Sequence, residues 1–201
     1  STKDRLETYG ENIDQRIDNY YDRAIALESG DMVSYPLGWD EITTETFGIR
    51  PRELMFVMGF AGMGKSWCVE AIALTAAKAG VRTYLASFEN GKEATFDRLD
   101  CLHTGIPYRE WERGELNPDQ LKRMKESREE IRSIKELIID TPRYEEERTL
   151  FDIYNRAMYF DVQLFVGDQL SWVHNTKYFK EENPYWKLGD TVRNIADITR
   201  A

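Results

Sequence analysis

Gly59-Phe60-Ala61-Gly62-Met63-Gly64-Lys65-Ser66 follows the apolar run 54–58 and opens a stretch of helix-compatible residues that reaches Lys78. The order satisfies GxxxxGK[ST], and that spacing has a physical cause. Glycines let the backbone curl so that successive N–H groups face a phosphate chain, and a helix starting at Lys65 adds partial positive charge at the same point. In such a loop Lys65 reaches the β- and γ-phosphates of ATP as a point charge, and the Ser66 hydroxyl is a ligand for Mg²⁺. Gly59, Ala61, Gly62, Met63, Gly64 and Trp67 complete the candidate nucleotide site. Average residue usage would produce such a match in about one chain of this length in a hundred. Taken with its strand and helix context, the pattern predicts a phosphate-binding P-loop. The glycine order differs from GxGxxG, which disfavours a dinucleotide fold.

Outward from this loop, strand and helix signals alternate. Apolar runs predict strands over 54–58, 83–88, 137–139 and 162–166. Helical patterns lie over 65–78, which Gly80 ends, and over 92–102, about 118–135 and about 146–159, with Asn117-Pro118 reading as an N-cap and first helical position. Repeated βα alternation implies a parallel sheet with helices on both faces, and ligands in such sheets bind at the carboxyl ends of the strands.

Two acidic residues fall at those ends. Val162 to Asp168 is an apolar strand closing on a carboxylate, the form of a Walker B aspartate that holds Mg²⁺ through water. Glu89 lies just beyond the strand 83–88, at the edge that the P-loop occupies, and is a candidate to orient and deprotonate water. A solvated strand-end carboxylate is the other reading of Glu89.

The N-terminal region is different in kind. Leu6, Tyr9, Ile13, Ile17, Tyr20, Ala24 and Leu27 recur at steps of three and four, which predicts one amphipathic helix from Thr2 to about Glu28, stopped by Ser29-Gly30-Asp31. The expected organisation is a linker helix over 1–30 and a nucleotide-binding core over 31–201. At 201 residues, 41% hydrophobic and 31% charged, the chain has a globular composition. Apolar runs fall short of the roughly 20 residues a spanning helix needs, so a cytoplasmic protein with no membrane partner is expected. Cys68 and Cys101 form no CxxC pair, and with His103 and His174 as the only histidines neither a disulfide framework nor a zinc site is expected. A net charge of −9 is unfavourable for binding nucleic acid, so any DNA contact must be local.

Several segments together resemble one family. Ser87-Phe88-Glu89-Asn90-Gly91-Lys92-Glu93, followed by Arg98-Leu99, resembles the "SLEM…RL" segment of DnaB-type replicative helicases. Phe60 to Ser66 resembles the P-loop of that family, Pro36-Leu37-Gly38-Trp39-Asp40 the segment before its first core strand, and Asp168-Gln169-Leu170-Ser171 its Walker B. His103-Thr104-Gly105-Ile106 through Gly114-Glu115-Leu116-Asn117 is similar to the stretch after its glutamate helix. The resemblance covers about residues 30–201, and the preceding helix resembles the linker that docks on a neighbouring subunit. It implies a RecA-like ATPase fold, ATP and Mg²⁺ at the P-loop, Glu89 as catalytic glutamate, single-stranded DNA as partner, and self-association into a ring, taken as a hexamer, through the N-terminal helix. Arg98 would lie near the nucleotide, the alternative being a salt bridge along its own helix.

The chain departs from the family at two points. DnaB-type chains often carry Tyr and, two residues later, Gln after the Walker B aspartate, whereas Gln169 and Ser171 stand here; phage primase-helicases of the same superfamily have His-Ile-Ser, so the chain resembles the phage branch, which would act in host cytoplasm. The chain also stops at Ala201, where the resemblance leaves a further strand, a second DNA loop and an arginine finger without counterparts, as expected of a piece of a longer protein. Over 174–187, Lys177, Lys180 and Lys187 alternate with Tyr178, Phe179, Tyr185 and Trp186. Lysine with aromatics suits single-stranded DNA, and an ordinary solvated loop is the competing reading. A recombinase or strand-annealing ATPase, and a nucleotide-gated assembly module, are the rival functions.

Overall fold

The structure is a computed structural model that describes residues 8–30 and 32–173. The expectations placed on Lys177, Lys180 and Lys187 lie outside the described residues. The chain divides into two compact units, Ser1–Ser34 and Tyr35–Ala201.

In the first unit, helix α1 spans Ile13–Ser29. It begins later than the periodicity predicts, because Gly10 gives no helical bias and Asn12 takes a left-handed φ of 56° while Glu11 accepts a hydrogen bond from the Thr8 N–H. Gly30, at φ 74°, ends it as expected, with its N–H on the Leu27 carbonyl. Ile13, Ile17, Tyr20 and Ile25 on this helix are exposed.

The second unit is built on a parallel three-stranded sheet in the order β2-β1-β3, where β1 is Thr83–Ser87, β2 is Leu137–Asp140 and β3 is Leu164–Asp168. Every residue of β1 is buried, as a central strand covered on both faces must be. The period of two sorts its side chains. Leu85 packs with Ala73, Leu74 and Ala76 of α3 (Lys65–Lys78) and Leu99 of α4 (Lys92–Thr104). Tyr84 and Ala86 face the other way, onto Leu150 and Ile153 of α8 (Leu150–Tyr159). On that second face the Tyr84 hydroxyl hydrogen-bonds Asp140 and accepts from Arg156 Nε at 3.0 Å, so the buried phenol of the central strand is satisfied by β2 and α8 together.

The run 54–58 is not a strand, contrary to expectation. Leu54, Met55, Phe56 and Met58 are exposed, and the sheet of the described residues ends at β3. Apolar content makes burial favourable without choosing a partner, and a parallel strand also needs a ladder edge and cover on both faces. Smaller corrections have local causes. The helix expected over 118–135 divides into α6 (Pro118–Glu126) and α7 (Arg128–Ser133) at Ser127, whose Oγ donates to the Met124 carbonyl at 3.0 Å in competition with the helix ladder. Its start holds as predicted, with Asn117 and Gln120 forming a reciprocal capping box. The helix expected from about Glu146 begins only at Leu150, since Thr149 is extended and caps the Asp152 N–H at 3.1 Å. β3 starts two residues late because the Gln163 and Leu164 N–H groups both turn onto the Arg82 carbonyl before the ladder begins. Two short helices, α2 (Asp40–Thr46) and α5 (Tyr108–Arg113), were not expected.

Candidate functional site

The P-loop takes the conformation its glycines permit. Gly62 and Gly64 have φ of 77° and 84°, left-handed values that other residues adopt at a cost, and α3 opens directly afterwards with the Cys68 N–H on the Gly64 carbonyl at 2.9 Å. Residues 59–64 are exposed, while Lys65, Ser66 and Trp67 are half-buried. Lys65 Nζ donates to the Phe60 carbonyl at 3.0 Å, which holds the ammonium over the loop it belongs to. A phosphate would compete for that donor, being charged where the carbonyl is neutral.

Across the sheet edge, the strand register brings the two acidic candidates together. Asp168 pairs with Ser87 in the β1–β3 ladder, and the Phe88 N–H donates to the Asp168 carbonyl at 2.7 Å. Glu89 is therefore two residues beyond the rung that carries Asp168, exposed at the carboxyl ends of the strands, while Asp168 itself is only 4% exposed. Among the described residues no three His, Cys, Asp or Glu side chains converge as a metal cage. Asp168 has one side-chain hydrogen bond there, a long one of 3.4 Å from Asn90 Nδ2, so its carboxylate retains acceptor capacity. One carboxylate and one hydroxyl, Asp168 and Ser66, fit Mg²⁺, which is ordinarily held by few protein ligands together with waters and substrate phosphates.

Arg98 pairs neither as a lone surface charge nor along its own helix. Its Nη1 reaches Glu70 Oε1 on α3 at 3.2 Å, its Nη2 donates to Asn90 Oδ1 at 3.0 Å, and its guanidinium lies 5.8 Å from the Trp67 ring centre. Glu70 and Asn90 were missed from the sequence. Glu70 is the lone acidic residue in the otherwise apolar middle of α3, and an acid flanked by Val69, Ala71 and Ile72 was the available signal.

Burial pushes the Glu70 carboxyl up to about 7, against the opposing pull of Arg98, and the Asp168 charge adds to the rise. The folded state thus binds this proton more tightly than the unfolded chain does. Its contribution to stability is complete below about 4.5 and is lost as pH rises through about 7. Thermal melts of the nucleotide-free chain should show a decline across this window, of order a few kcal/mol, that Glu70→Gln lacks. Equal pH slopes for the two proteins would refute the assignment.

A family model described as DnaB-like helicase C terminal domain matches residues 35–201. The chain belongs to this family. No curated protein matches it. Among solved structures, the DnaB-like domain is similar to a DnaB-like replicative helicase described with its interactions with primase, at a TM-score of 0.79 and 18% identity over 94% of this chain and 45% of that one. It is also similar to a second solved structure, described as an ATPase domain, at a TM-score of 0.77 and 17% identity over 94% of this chain and 67% of that one. These likenesses establish the RecA-like ATPase-domain fold, a parallel sheet between helices. The chain spans less than half the length of the first of these proteins. No helix among the described residues of the DnaB-like domain is long and apolar enough to cross a membrane.

Proposed function

We propose that the DnaB-like domain is the motor of a replicative helicase, binding ATP with Mg²⁺ and hydrolysing it to move along single-stranded DNA. The observation that carries this reading is the register Ser87↔Asp168, which sets Asp168 and Glu89 at one edge of a parallel sheet, the carboxyl end where ligands bind in such sheets. Lys65 and the backbone of 59–64 bind the phosphates, with Trp67 and Arg98 behind them. Ser66 and Asp168 hold the cation, and Glu89 orients and deprotonates water. When bound, Mg²⁺ neutralises the charge that develops on the phosphates. The exposed stripe of α1 supports assembly, since a helix draws most of its stability from packing and Ile13, Ile17 and Tyr20 are exposed among the described residues. It docks on a neighbouring copy to close a ring, taken as a hexamer.

Phosphate release with and without single-stranded DNA tests the motor, and light scattering tests the ring. Hydrolysis should rise with DNA, and deletion of residues 1–28 should leave a folded monomer. ATP-dependent association without DNA-stimulated turnover would favour a nucleotide-gated assembly module instead.

A further inference from the structure

A continuous polar chain runs from the P-loop helix to the end of β3, and the roles assigned above leave its middle member without one. Glu70, buried on α3, anchors Arg98 of α4; Arg98 Nη2 donates to Asn90 Oδ1 at 3.0 Å; and Asn90 Nδ2 donates to Asp168 Oδ2 at 3.4 Å. The chemistry at each end dictates what stands between. Arginine only donates and an ionised aspartate only accepts, so a group bridging them must accept on one side and donate on the other. A carboxamide does both and carries no charge. Its orientation is determined as well, because a flipped amide would set NH₂ against the guanidinium and oxygen against the carboxylate. Direct contact between Arg98 and Asp168 would instead place a full positive charge on the carboxylate that a divalent cation requires.

The same residue also ties down the turn that carries Glu89. Ser87 Oγ donates to the Asn90 backbone carbonyl at 3.3 Å, and the next residue, Gly91, accepts from the Thr95 hydroxyl at 3.1 Å where α4 begins. Asn90 is thus joined by its main chain to the end of β1 and by its side chain to the end of β3. It stands at the fourth place of the segment resembling SLEM, where that pattern carries an apolar methionine unable to bridge the two charges.

We propose that Asn90, keyed by Arg98 and Glu70, is a positioning residue for Asp168: its amide holds one carboxylate oxygen and leaves the other to the Mg²⁺ of a bound nucleotide. This rests on the motor reading only in taking Asp168 as the cation carboxylate. Outer-layer partners of metal ligands typically contribute about 10–100-fold to metal affinity. Removing the amide should therefore weaken the response to the metal and leave the phosphate contacts of the loop alone.

The test is a Mg²⁺ titration of the binding of a fluorescent ATP analogue by the full chain, beside the affinity for the same analogue in excess chelator. Asn90→Leu should raise the Mg²⁺ concentration at half-saturation about tenfold or more, with metal-free affinity unchanged. Because Arg98→Met alone would strand the buried Glu70 carboxylate and risk unfolding, the anchor is removed as the pair Glu70→Met with Arg98→Met. With Asn90 intact, that pair should give a shift of the same sign. An Asn90→Leu protein with the wild-type Mg²⁺ midpoint would overturn the proposal while leaving the motor reading in place. Equal weakening with and without metal would also overturn it, by showing a collapsed loop. A wild-type chain that binds the analogue with no dependence on Mg²⁺ would overturn the nucleotide–metal site itself, and the proposal with it.

Discussion

Lys65→Ala should lower the affinity for ATP by about a hundredfold or more and leave the domain folded. The lysine stands at the first position of α3, where among the described residues its ammonium has one protein partner, the Phe60 carbonyl. Hydrogen bonds to charged groups contribute roughly 1.5–3 kcal/mol each, and an ammonium facing two phosphates supplies more than one. Folding depends on it far less. The loop it covers is exposed, alanine is the best helix former, and substitutions away from the core usually change stability by no more than about 0.5 kcal/mol. Calorimetry with ATP, beside circular dichroism of both proteins, separates the two effects. Unchanged affinity in a folded variant would remove the P-loop from the phosphate site.

Glu89→Gln should separate chemistry from binding. The change keeps the size of the side chain and its exposed place two residues beyond the Ser87–Asp168 rung, and removes only the capacity to accept a proton. General-base catalysis contributes about 10²–10⁴-fold, so turnover in the assembled protein should fall by that factor with affinity for ATP and Mg²⁺ retained. Loss confined to the catalytic rate marks an interaction made in the transition state. Wild-type turnover would return Glu89 to a solvated strand-end carboxylate.

These two residues were legible in the sequence for different reasons. Lys65 belongs to a contiguous pattern whose spacing encodes its geometry, since glycines at fixed offsets permit one loop shape and the helix follows at once. Glu89 and Asp168 lie 79 positions apart, and only the inference of a parallel sheet put them at one edge. The β1–β3 register then made that a statement about a single rung and the residue two beyond it. The sequence singles out Arg98 with two readings, a place near the nucleotide or a salt bridge along its own helix, where i,i+4 neighbours are the local expectation. The partner is Glu70, 28 residues away on α3. No periodicity reports such a pair, because it depends on how two helices lie against one sheet face.

Local pattern by itself determined the P-loop, the helix of Lys65–Lys78, the capping box at Asn117, the glycine stop of α1 and the alternation that makes the sheet parallel. Each follows from backbone preferences acting over a few residues, which fold the same way wherever they occur. Tertiary structure alone decided that 54–58 stays outside the sheet and that Glu70, Arg98, Asn90 and Asp168 form one polar chain. Hydrophobic burial is non-directional and says only that a segment prefers cover. Which segment receives cover, and which charges are left facing one another beneath it, is determined when distant elements compete for the same two faces of the sheet.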